Sequence, residues 1–317
     1  MPSSTSIESL LPPLKPESLQ CIYRLQRYRP SVENRRYPKR RSAAVAVVLF
    51  VGRLGDLYVL LSTRAGDMRT YAHDTALPGG KYEEGDVDAE GTARREAYEE
   101  IGLPMDREKV RKLCELEKFI TGNSLIVTPV ILLITDHTLT PLLNPSEVRR
   151  LFSMPLSAFL HSRPSQIPSF HYRISHRISS IPHWVIDSIP PPPIVNYSMD
   201  DGEVGGKEGR FYQYRDITWN GQGLVRMHRF LTGREGEGVR PVYGLTAAIL
   251  IRSATIGYDQ QPDFPVYAPG QKSMGERIIY GIRSEEGPLR RAVESEGLWD
   301  DWKDDSQEEK KSVKSKL

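Results

Sequence analysis

The sequence predicts an α/β protein in which a strand-rich body carries one short acidic helix. Two apolar runs, AAVAVVLFV (43–51) and LYVLLSTR (57–64), have the length and composition of buried strands. The segment 89–101 has helical composition, and PVYGLTAAILIRSA (241–254) is typical of a closing helix. Strands and helices mixed in this way along one chain indicate the α/β class.

The acidic helix has boundary signals at both ends. Asp86 and Asp88 are alternative N-caps, because an aspartate side chain accepts hydrogen bonds from the first backbone N–H groups of a helix. Gly102 and then Pro104 are stop signals, because glycine tolerates the left-handed conformation and proline cannot continue a helix. The sequence therefore predicts a helix over 89–101.

Further strands are predicted on both sides of an irregular region. Before it lie KLCELEKFITG (112–122) and SLIVTPVILLIT (124–135), the second rich in β-branched residues. A turn, a strand and a short helix are expected within 144–162. Ordered structure resumes with RFYQYRDITWNG (210–221) and VRMHRFLTG (225–233).

Composition divides the chain into three parts. Residues 1–39 are expected to form a basic, Pro-rich N-terminal arm, and 40–258 the main domain. Within that domain, the Pro-, Ser- and Gly-rich stretch 163–210 is typical of an irregular insertion. Residues 259–317 are expected to form a C-terminal extension, whose end at 299–317 is too charged to pack well.

The overall charge gives no reason to expect a nucleic-acid partner, because 43 Lys and Arg against 41 Asp and Glu leave a net charge of +2. The Arg-rich stretch 24–41 is either a patch for an anionic partner or a solvated arm. The apolar runs are far shorter than a membrane span, and no secretory signal is expected at the N-terminus. Two cysteines, Cys21 and Cys114, cannot build a disulfide framework, which favours a reducing compartment.

The chemistry is concentrated in a Pro-Gly-Gly turn at 78–80 and in the acidic helix that follows it. The glycines permit close backbone approach or positive φ, and exposed N–H groups there could meet an anion. Glu96, Glu99 and Glu100 stand at i, i+3 and i+4, so they share one helical face and repel each other. Clustered carboxylates are ligands for Mg²⁺ or Mn²⁺, which would offset that repulsion. An anion cradle beside a divalent cation indicates a phosphate-ester or pyrophosphate enzyme.

Residues 95–103, REAYEEIGL, resemble the second half of the Nudix hydrolase box, G-x5-E-x7-R-E-U-x-E-E-x-G-U with U an apolar residue. The first half differs, because Asp86 replaces the family's Glu and fourteen residues, not thirteen, separate Gly80 from Arg95. No role is therefore assigned to the first acidic position. The resemblance implies an α/β/α sandwich with a mixed β-sheet.

The longer spacing is similar to that of the coenzyme A pyrophosphatase branch, whose upstream signature is L-L-T-x-R-[SA]-x3-R-x3-G-x3-F-P-G-G. Residues 60–80, LLSTRAGDMRTYAHDTALPGG, follow that signature with three substitutions. These are Ser62 for Thr, His73 for Gly and Leu77 for Phe. The segments VTPV (127–130), NPSEV (144–148) and YGLTAAIL (243–250) also resemble this branch.

The resemblance implies a role for each matching residue. Glu96, Glu99 and Glu100 match the family's metal ligands, for Mg²⁺ or Mn²⁺. Arg95 matches the arginine that orients those carboxylates. Family members take the catalytic base from the box or from a later loop, so Glu99 and Glu147 both remain candidates.

The same resemblance implies hydrolysis of the pyrophosphate of coenzyme A, or of its acyl or oxidised forms, to 3′,5′-ADP and 4′-phosphopantetheine or its derivative. The residues expected to contact substrate are Arg64, Arg69, Gly79, Gly80 and Lys81. Two alternatives stay open. One is a Nudix hydrolase of another diphosphate, such as an oxidised nucleotide or NADH, and the other is a catalytically silent Nudix-fold binding module.

The sequence ends in Ser315-Lys316-Leu317, which has the form of a peroxisomal address read by the import receptor. The charged approach EEKKSVKSKL is expected to leave these residues free for that receptor. The expected location is therefore the peroxisomal matrix.

Overall fold

The computed structural model describes residues 7–31, 35–66, 73–163, 211–219 and 221–303 of the 317-residue chain. Nearly all of the predicted insertion, the end of the tail and Arg69 lie outside the described residues.

The helices are α1 (Pro16–Arg27), α2 (Ala89–Ile101), α3 (Gly244–Tyr258), α4 (Met274–Arg283) and α5 (Pro288–Ser295). The strands are β1 (Ser42–Val51), β2 (Leu57–Arg64), β3 (Thr75–Ala76), β4 (Gly79–Lys81), β5 (Val110–Glu115), β6 (Phe119–Ile120), β7 (Ile126–Ile134), β8 (Val148–Pro155), β9 (Tyr212–Thr218), β10 (Leu224–Phe230) and β11 (Val242–Tyr243).

The main sheet is mixed and is centred on β1. β1 runs parallel to β7 on one side, and on the other side it pairs antiparallel with both β2 and β4. β2 also pairs with β3 and β8, and β7 with β5 and β6, all antiparallel. β9, β10 and β11 form a separate antiparallel sheet of three strands. The predicted mixed sheet is confirmed.

Alternation along β1 divides the core between the two faces of the main sheet. Val47 and Leu49 are fully buried in the cluster that contains α1 and α3. Ala46 and Val48 are fully buried in the cluster formed with α2. Since successive side chains of a strand point to opposite faces, one strand contributes to both layers. The result is the predicted α/β/α sandwich.

The sequence predicts only an arm over 1–39, whereas in the structure Pro16–Arg27 form helix α1. In the structure Cys21, Ile22 and Leu25 are fully buried in the core cluster that also includes α3. The helices approach so closely that a Cβ added at Gly257 would lie 2.4 Å from the Cys21 Sγ. The spacing of 21, 22 and 25 is the i, i+1, i+4 pattern of one helical face, and it was available in the sequence. Charged neighbours and prolines obscured it.

The C-terminal extension packs on the main sheet through a third apolar cluster. Ile278 of α4 and Trp302 are buried together with Ile126 of β7. The prediction that the tail does not pack is wrong for its first residues, because Trp299–Trp302 form a 3₁₀ helix and Trp302 is 4% exposed. The Trp302 Nε1–H also donates to the carbonyl of Arg36 at 3.1 Å. Trp302 thus holds this charged segment against the fold through its buried ring and its hydrogen-bonded Nε1.

None of the helices in the described part of the chain combines the length and the apolar character needed to cross a bilayer.

Candidate active site

Helix α2 is fixed at both ends and along one face. Asp88 is the N-cap, and its side chain accepts the Gly91 N–H at 2.8 Å. Gly102 ends the helix with φ +67°, in the left-handed region that favours glycine. Ala93 and Ala97 are fully buried against the sheet. These contacts confirm the predicted helix and place its acidic face beside β4.

The two glycines of the Pro-Gly-Gly segment are required by close approach, not by positive φ. Gly79 and Gly80 belong to β4 and pair with β1. A Cβ at Gly79 would lie 2.5 Å from the Ala44 carbonyl oxygen. At Gly80 it would lie 2.3 Å from the Glu96 Oε1. Only glycine therefore lets the strand backbone touch the carboxylate of the helix.

Arg95 uses its guanidinium to hold several groups in one arrangement. Its Nε and Nη2 contact the two oxygens of Asp86, at 3.1 and 3.2 Å. Nη2 also donates to the Lys81 carbonyl at 2.9 Å. Nη1 donates to Glu96 at 3.0 Å and to Glu99 at 3.1 Å. The hydrogen bond to Asp86 is the main reason that the pKa of Arg95 is raised, so this arginine is a permanent cation at the centre of the site.

Asp86 has a structural role that its sequence pattern did not predict. Besides Arg95, it accepts the Glu83 N–H at 2.9 Å and the Thr92 Oγ1–H at 2.8 Å. Burial acts to raise the pKa of Asp86, but the hydrogen bonds from Arg95 and the Glu83 N–H lower it below the usual value. Asp86 is thus an ionised anchor for the arginine. Its place nine residues before Arg95 gave no helical spacing from which to predict this contact.

Glu100 lies at the most buried point of the carboxylate group. Burial raises the pKa of Glu100 to about 8, and the negative charges of Glu96 and Glu147 act in the same direction. The positive charge of Arg64 and a hydrogen bond from the Gly79 N–H oppose this rise. The sequence predicts that backbone N–H groups of this turn could bind an anion. In the structure, the Gly79 N–H interacts with the carboxyl group of Glu100, on the protein's own helix.

Glu96 experiences the same combination of burial and repulsion. Burial raises the pKa of Glu96 above its usual value, against the opposing charge and hydrogen bond of Arg95. The charges of Glu99 and Glu147 raise it further. The carboxylates thus repel one another in a partly dry environment, and a cation bound among them would be favoured.

Glu147 reaches this group through a turn that is attached to the end of α2. The Glu147 N–H donates to the Asn144 carbonyl at 3.1 Å, and the Asn144 N–H donates to the Glu100 carbonyl at 3.0 Å. The Ala65 N–H in turn donates to the Glu147 carbonyl at 2.8 Å. Backbone hydrogen bonds from two directions therefore position this glutamate opposite the helix.

The donor set fits a divalent cation in its chemistry. Carboxylate oxygens are the ligands that Mg²⁺ and Mn²⁺ prefer, and Glu96, Glu99, Glu100 and Glu147 offer four such groups. Within the described ranges, however, no group of three or more His, Cys, Asp or Glu side chains is spaced to hold a metal ion. Arg95 occupies one oxygen each of Glu96 and Glu99.

The basic residues predicted to contact substrate occupy different parts of the structure. Arg64, at the end of β2, acts electrostatically on Glu100, and its buried Nε has no hydrogen-bond partner among the described residues. Lys81 is exposed at the end of β4, and its carbonyl belongs to the Arg95 contacts. Arg69 cannot be placed, since it lies outside the described residues. Arg64 is therefore the cation that the structure brings to the carboxylates from the β2 side.

His73 occupies a left-handed backbone position. Its φ is +64°, a value that residues with a Cβ adopt at a cost. Its ring lies against Gly66, where an added Cβ would be 2.7 Å from the His73 Cε1. The related signature has glycine at the position of His73, and the observed φ gives the physical reason.

Comparison with known proteins agrees with this geometry. The NUDIX domain family matches residues 39–177. The chain is similar to "Nudix hydrolase 15, mitochondrial" of Arabidopsis thaliana, with 34% identity over 233 residues, covering 73% of this chain and 63% of that protein. It is also similar to "Peroxisomal coenzyme A diphosphatase 1, peroxisomal" of Saccharomyces cerevisiae, with 33% identity over 169 residues, 44% of this chain and 50% of that protein.

A bacterial relative is covered more completely. The "Uncharacterized Nudix hydrolase NudL" of Escherichia coli is 32% identical over 158 residues, which is 50% of this chain and 79% of that protein. By contrast, the chain spans less than two thirds of the plant and yeast relatives.

Replacing Gly80 with alanine should impair the site and leave the fold intact. The new Cβ would displace the Glu96 carboxylate, which is the flexible end of a side chain, so unfolding free energy should change little. Turnover should fall about a hundredfold, as expected for a misplaced catalytic group. Gly91→Ala is the matched control, because its Cβ would have no neighbour nearer than 3.6 Å. Steady-state kinetics and urea unfolding of both variants would check this, and equal activity in Gly80→Ala and Gly91→Ala would contradict it.

His73→Gly should be more stable to unfolding than His73→Ala by about 1 kcal/mol, because only glycine adopts a left-handed φ without strain. Comparing these two variants removes the contribution of the imidazole ring. At Gly91, inside α2, the order should reverse, with alanine the more stable residue. Urea unfolding gives both differences, and a more stable His73→Ala would show that the backbone at this position is not strained.

Proposed function

Because this chain belongs to the Nudix hydrolase family, we propose that it hydrolyses the pyrophosphate bond of coenzyme A or of its acyl or oxidised derivatives. The products would be 3′,5′-ADP and 4′-phosphopantetheine or its derivative. The observation that carries the proposal is the convergence of Glu96, Glu100 and Glu147 beside the β4 glycines, with Arg64 next to them. The yeast relative named a coenzyme A diphosphatase supports the same substrate class.

In the proposed reaction, water attacks one phosphorus of the pyrophosphate, the bond from that phosphorus to the bridging oxygen breaks, and the bridging oxygen leaves with the other phosphate. Mg²⁺ or Mn²⁺, held by Glu96, Glu100 and one further carboxylate, would supply the charge that neutralises the phosphate oxygens. Arg95 keeps Glu96 and Glu99 in position throughout. The Arg64 guanidinium binds a phosphate of the substrate.

We assign the proton-accepting role to Glu147 and keep Glu99 as the alternative. One oxygen of the Glu99 carboxylate accepts a hydrogen bond from Arg95 and is therefore not free to contact the attacking water. No side-chain hydrogen bond to the Glu147 carboxylate occurs within the described parts of the chain, and this residue faces the other carboxylates from a separate loop. Glu147 is thus placed to take the proton of the attacking water.

Glu147→Gln should lower kcat by about two to four orders of magnitude while KM changes little, because general-base catalysis contributes on that scale. Glu99→Gln should have a smaller effect on kcat. Steady-state kinetics with both variants checks the assignment. A larger loss of kcat in Glu99→Gln would instead identify Glu99, in α2, as the base.

The substrate assignment is tested by a panel that includes coenzyme A, dephospho-coenzyme A, NADH and an oxidised nucleoside triphosphate, with mass-spectrometric identification of products. Wild type should hydrolyse coenzyme A with the highest kcat/KM. Arg64→Ala should reduce use of coenzyme A more than use of the dephospho form, since a guanidinium binds the 3′-phosphate. Preference for NADH or an oxidised nucleotide would favour a different Nudix activity, and no turnover on any substrate would favour a binding module.

We also propose a peroxisomal location, which the name of the yeast relative supports and which the mitochondrial name of the Arabidopsis relative does not share. Ser315, Lys316 and Leu317 lie outside the described residues, and their role as an address stays a prediction. Deleting these three residues from an N-terminally tagged chain should move fluorescence from peroxisomes to the cytosol. An unchanged peroxisomal signal would require another targeting segment.

A further inference from the structure

A carboxylate outside the acidic helix connects the two sheets. Asp74 is 7% exposed and lies just before β3. Its Oδ1 accepts a hydrogen bond from the Arg240 Nη1 at 2.7 Å, and its Oδ2 accepts the hydroxyl of Tyr243. The Thr75 hydroxyl donates to the Arg240 carbonyl at 2.6 Å. A short segment of the main sheet is therefore fixed to β11 and to the start of α3, some 170 positions later in the chain.

The same segment supports Arg64 through the backbone. The Arg64 N–H donates to the Asp74 carbonyl at 3.0 Å, directly beyond the last β2–β3 pair, Thr63 with Thr75. Asp74 thus contacts the second sheet with its side chain and Arg64 with its main chain. Arg64 in turn is the cation that acts on Glu100.

These contacts connect the start of α3 to Arg64, whose positive charge acts on Glu100. A buried carboxylate has to be paired, and Arg240 and Tyr243 supply two donors that hold it in one orientation. Loss of either donor would let Asp74 turn toward water and loosen its carbonyl, which is the acceptor for Arg64. The Arg64 guanidinium would then lose its fixed position relative to Glu100.

We propose that Asp74, held by Arg240 and Tyr243, is a positioning residue that sets Arg64 for binding the anionic part of the substrate. The inference rests on the proposed function, in which Arg64 binds a phosphate. It differs from a general brace between the sheets, because a brace would affect stability without a selective effect on substrate affinity.

The test compares Asp74→Asn and Tyr243→Phe with a control that removes the charge of one partner in another ion pair between the same parts of the fold. Glu237→Gln is that control, because Glu237 pairs with Arg150 of β8 and contacts neither Asp74 nor Arg64. Full-length variants are first shown to be folded by urea unfolding. KM and kcat for coenzyme A and the hydrogen exchange rate of the Arg64 amide are then measured.

Asp74→Asn and Tyr243→Phe should each raise KM about tenfold, with kcat within about twofold of wild type, as expected when a binding group is displaced. The Arg64 amide should exchange faster in both variants, because its acceptor has become mobile. Glu237→Gln should change neither quantity. An unchanged KM in the two variants, or an unchanged exchange rate at Arg64, would overturn the proposal.

The same measurements distinguish an error in the proposed function from an error in the role of Asp74. If wild type hydrolyses another diphosphate better than coenzyme A, the assignment of substrate is wrong, and the same KM comparison is made with the preferred compound. If wild type hydrolyses none, the exchange rate at Arg64 decides alone, because the contact between Asp74 and Arg64 does not depend on turnover.

Discussion

The candidate site depends on the guanidinium of Arg95. Its planar fork joins the loop before α2, through Asp86, to the end of β4, through the Lys81 carbonyl. The remaining nitrogen holds Glu96 and Glu99 on the helix face. Lysine could not replace it, because a single ammonium group lacks the fixed geometry needed to bind both oxygens of one carboxylate and two further groups. This one side chain therefore connects the acidic helix directly to the end of the glycine strand.

The hydrogen bonds of Arg95 also help to explain how Glu96, Glu99 and Glu100 can share one face of α2. Each like-charge pair at this spacing costs a few tenths of a kcal/mol on an isolated helix. Arg95 hydrogen-bonds to Glu96 and Glu99 but not to Glu100, whose pKa is raised to about 8 by burial and by the charges of Glu96 and Glu147. Arg95 therefore performs part of the role that the sequence analysis assigned entirely to a metal ion. The repulsion that remains is concentrated where Glu100, Glu96 and Glu147 meet.

Local patterns made the central part of the fold predictable. β1, β2 and α2 were recognisable because continuous apolar runs and capping residues act over a few positions. The position of Gly80 before an acidic helix indicated that this glycine matters. The physical reason is its contact with Glu96, which the spacing of the two residues in the sequence does not reveal.

The rest depended on contacts between distant segments. α1 packs against α3, more than 200 residues later, where Gly257 leaves room for Cys21. In the sequence, Asp86 is only a departure from the Glu of the Nudix box. Its hydrogen bond to Arg95 depends on how the loop before α2 folds, which the sequence does not show. Asp74 carried no sequence signal at all, since its partners lie at the other end of the domain. Sequence spacing describes neighbours on one element, whereas these residues act between elements.

We propose that Glu96 and Glu100, with one further carboxylate, hold a divalent cation at a site that Arg95 helps to shape. Mn²⁺ binding to the purified full-length protein, followed by electron paramagnetic resonance, tests it most directly without relying on turnover. Wild type and a control variant at an exposed carboxylate, Glu108→Gln, should bind with equal affinity. Glu100→Gln should weaken binding at least about tenfold, because it replaces a buried carboxylate ligand with an amide that cannot become negatively charged. Equal affinity in wild type and Glu100→Gln would contradict the account.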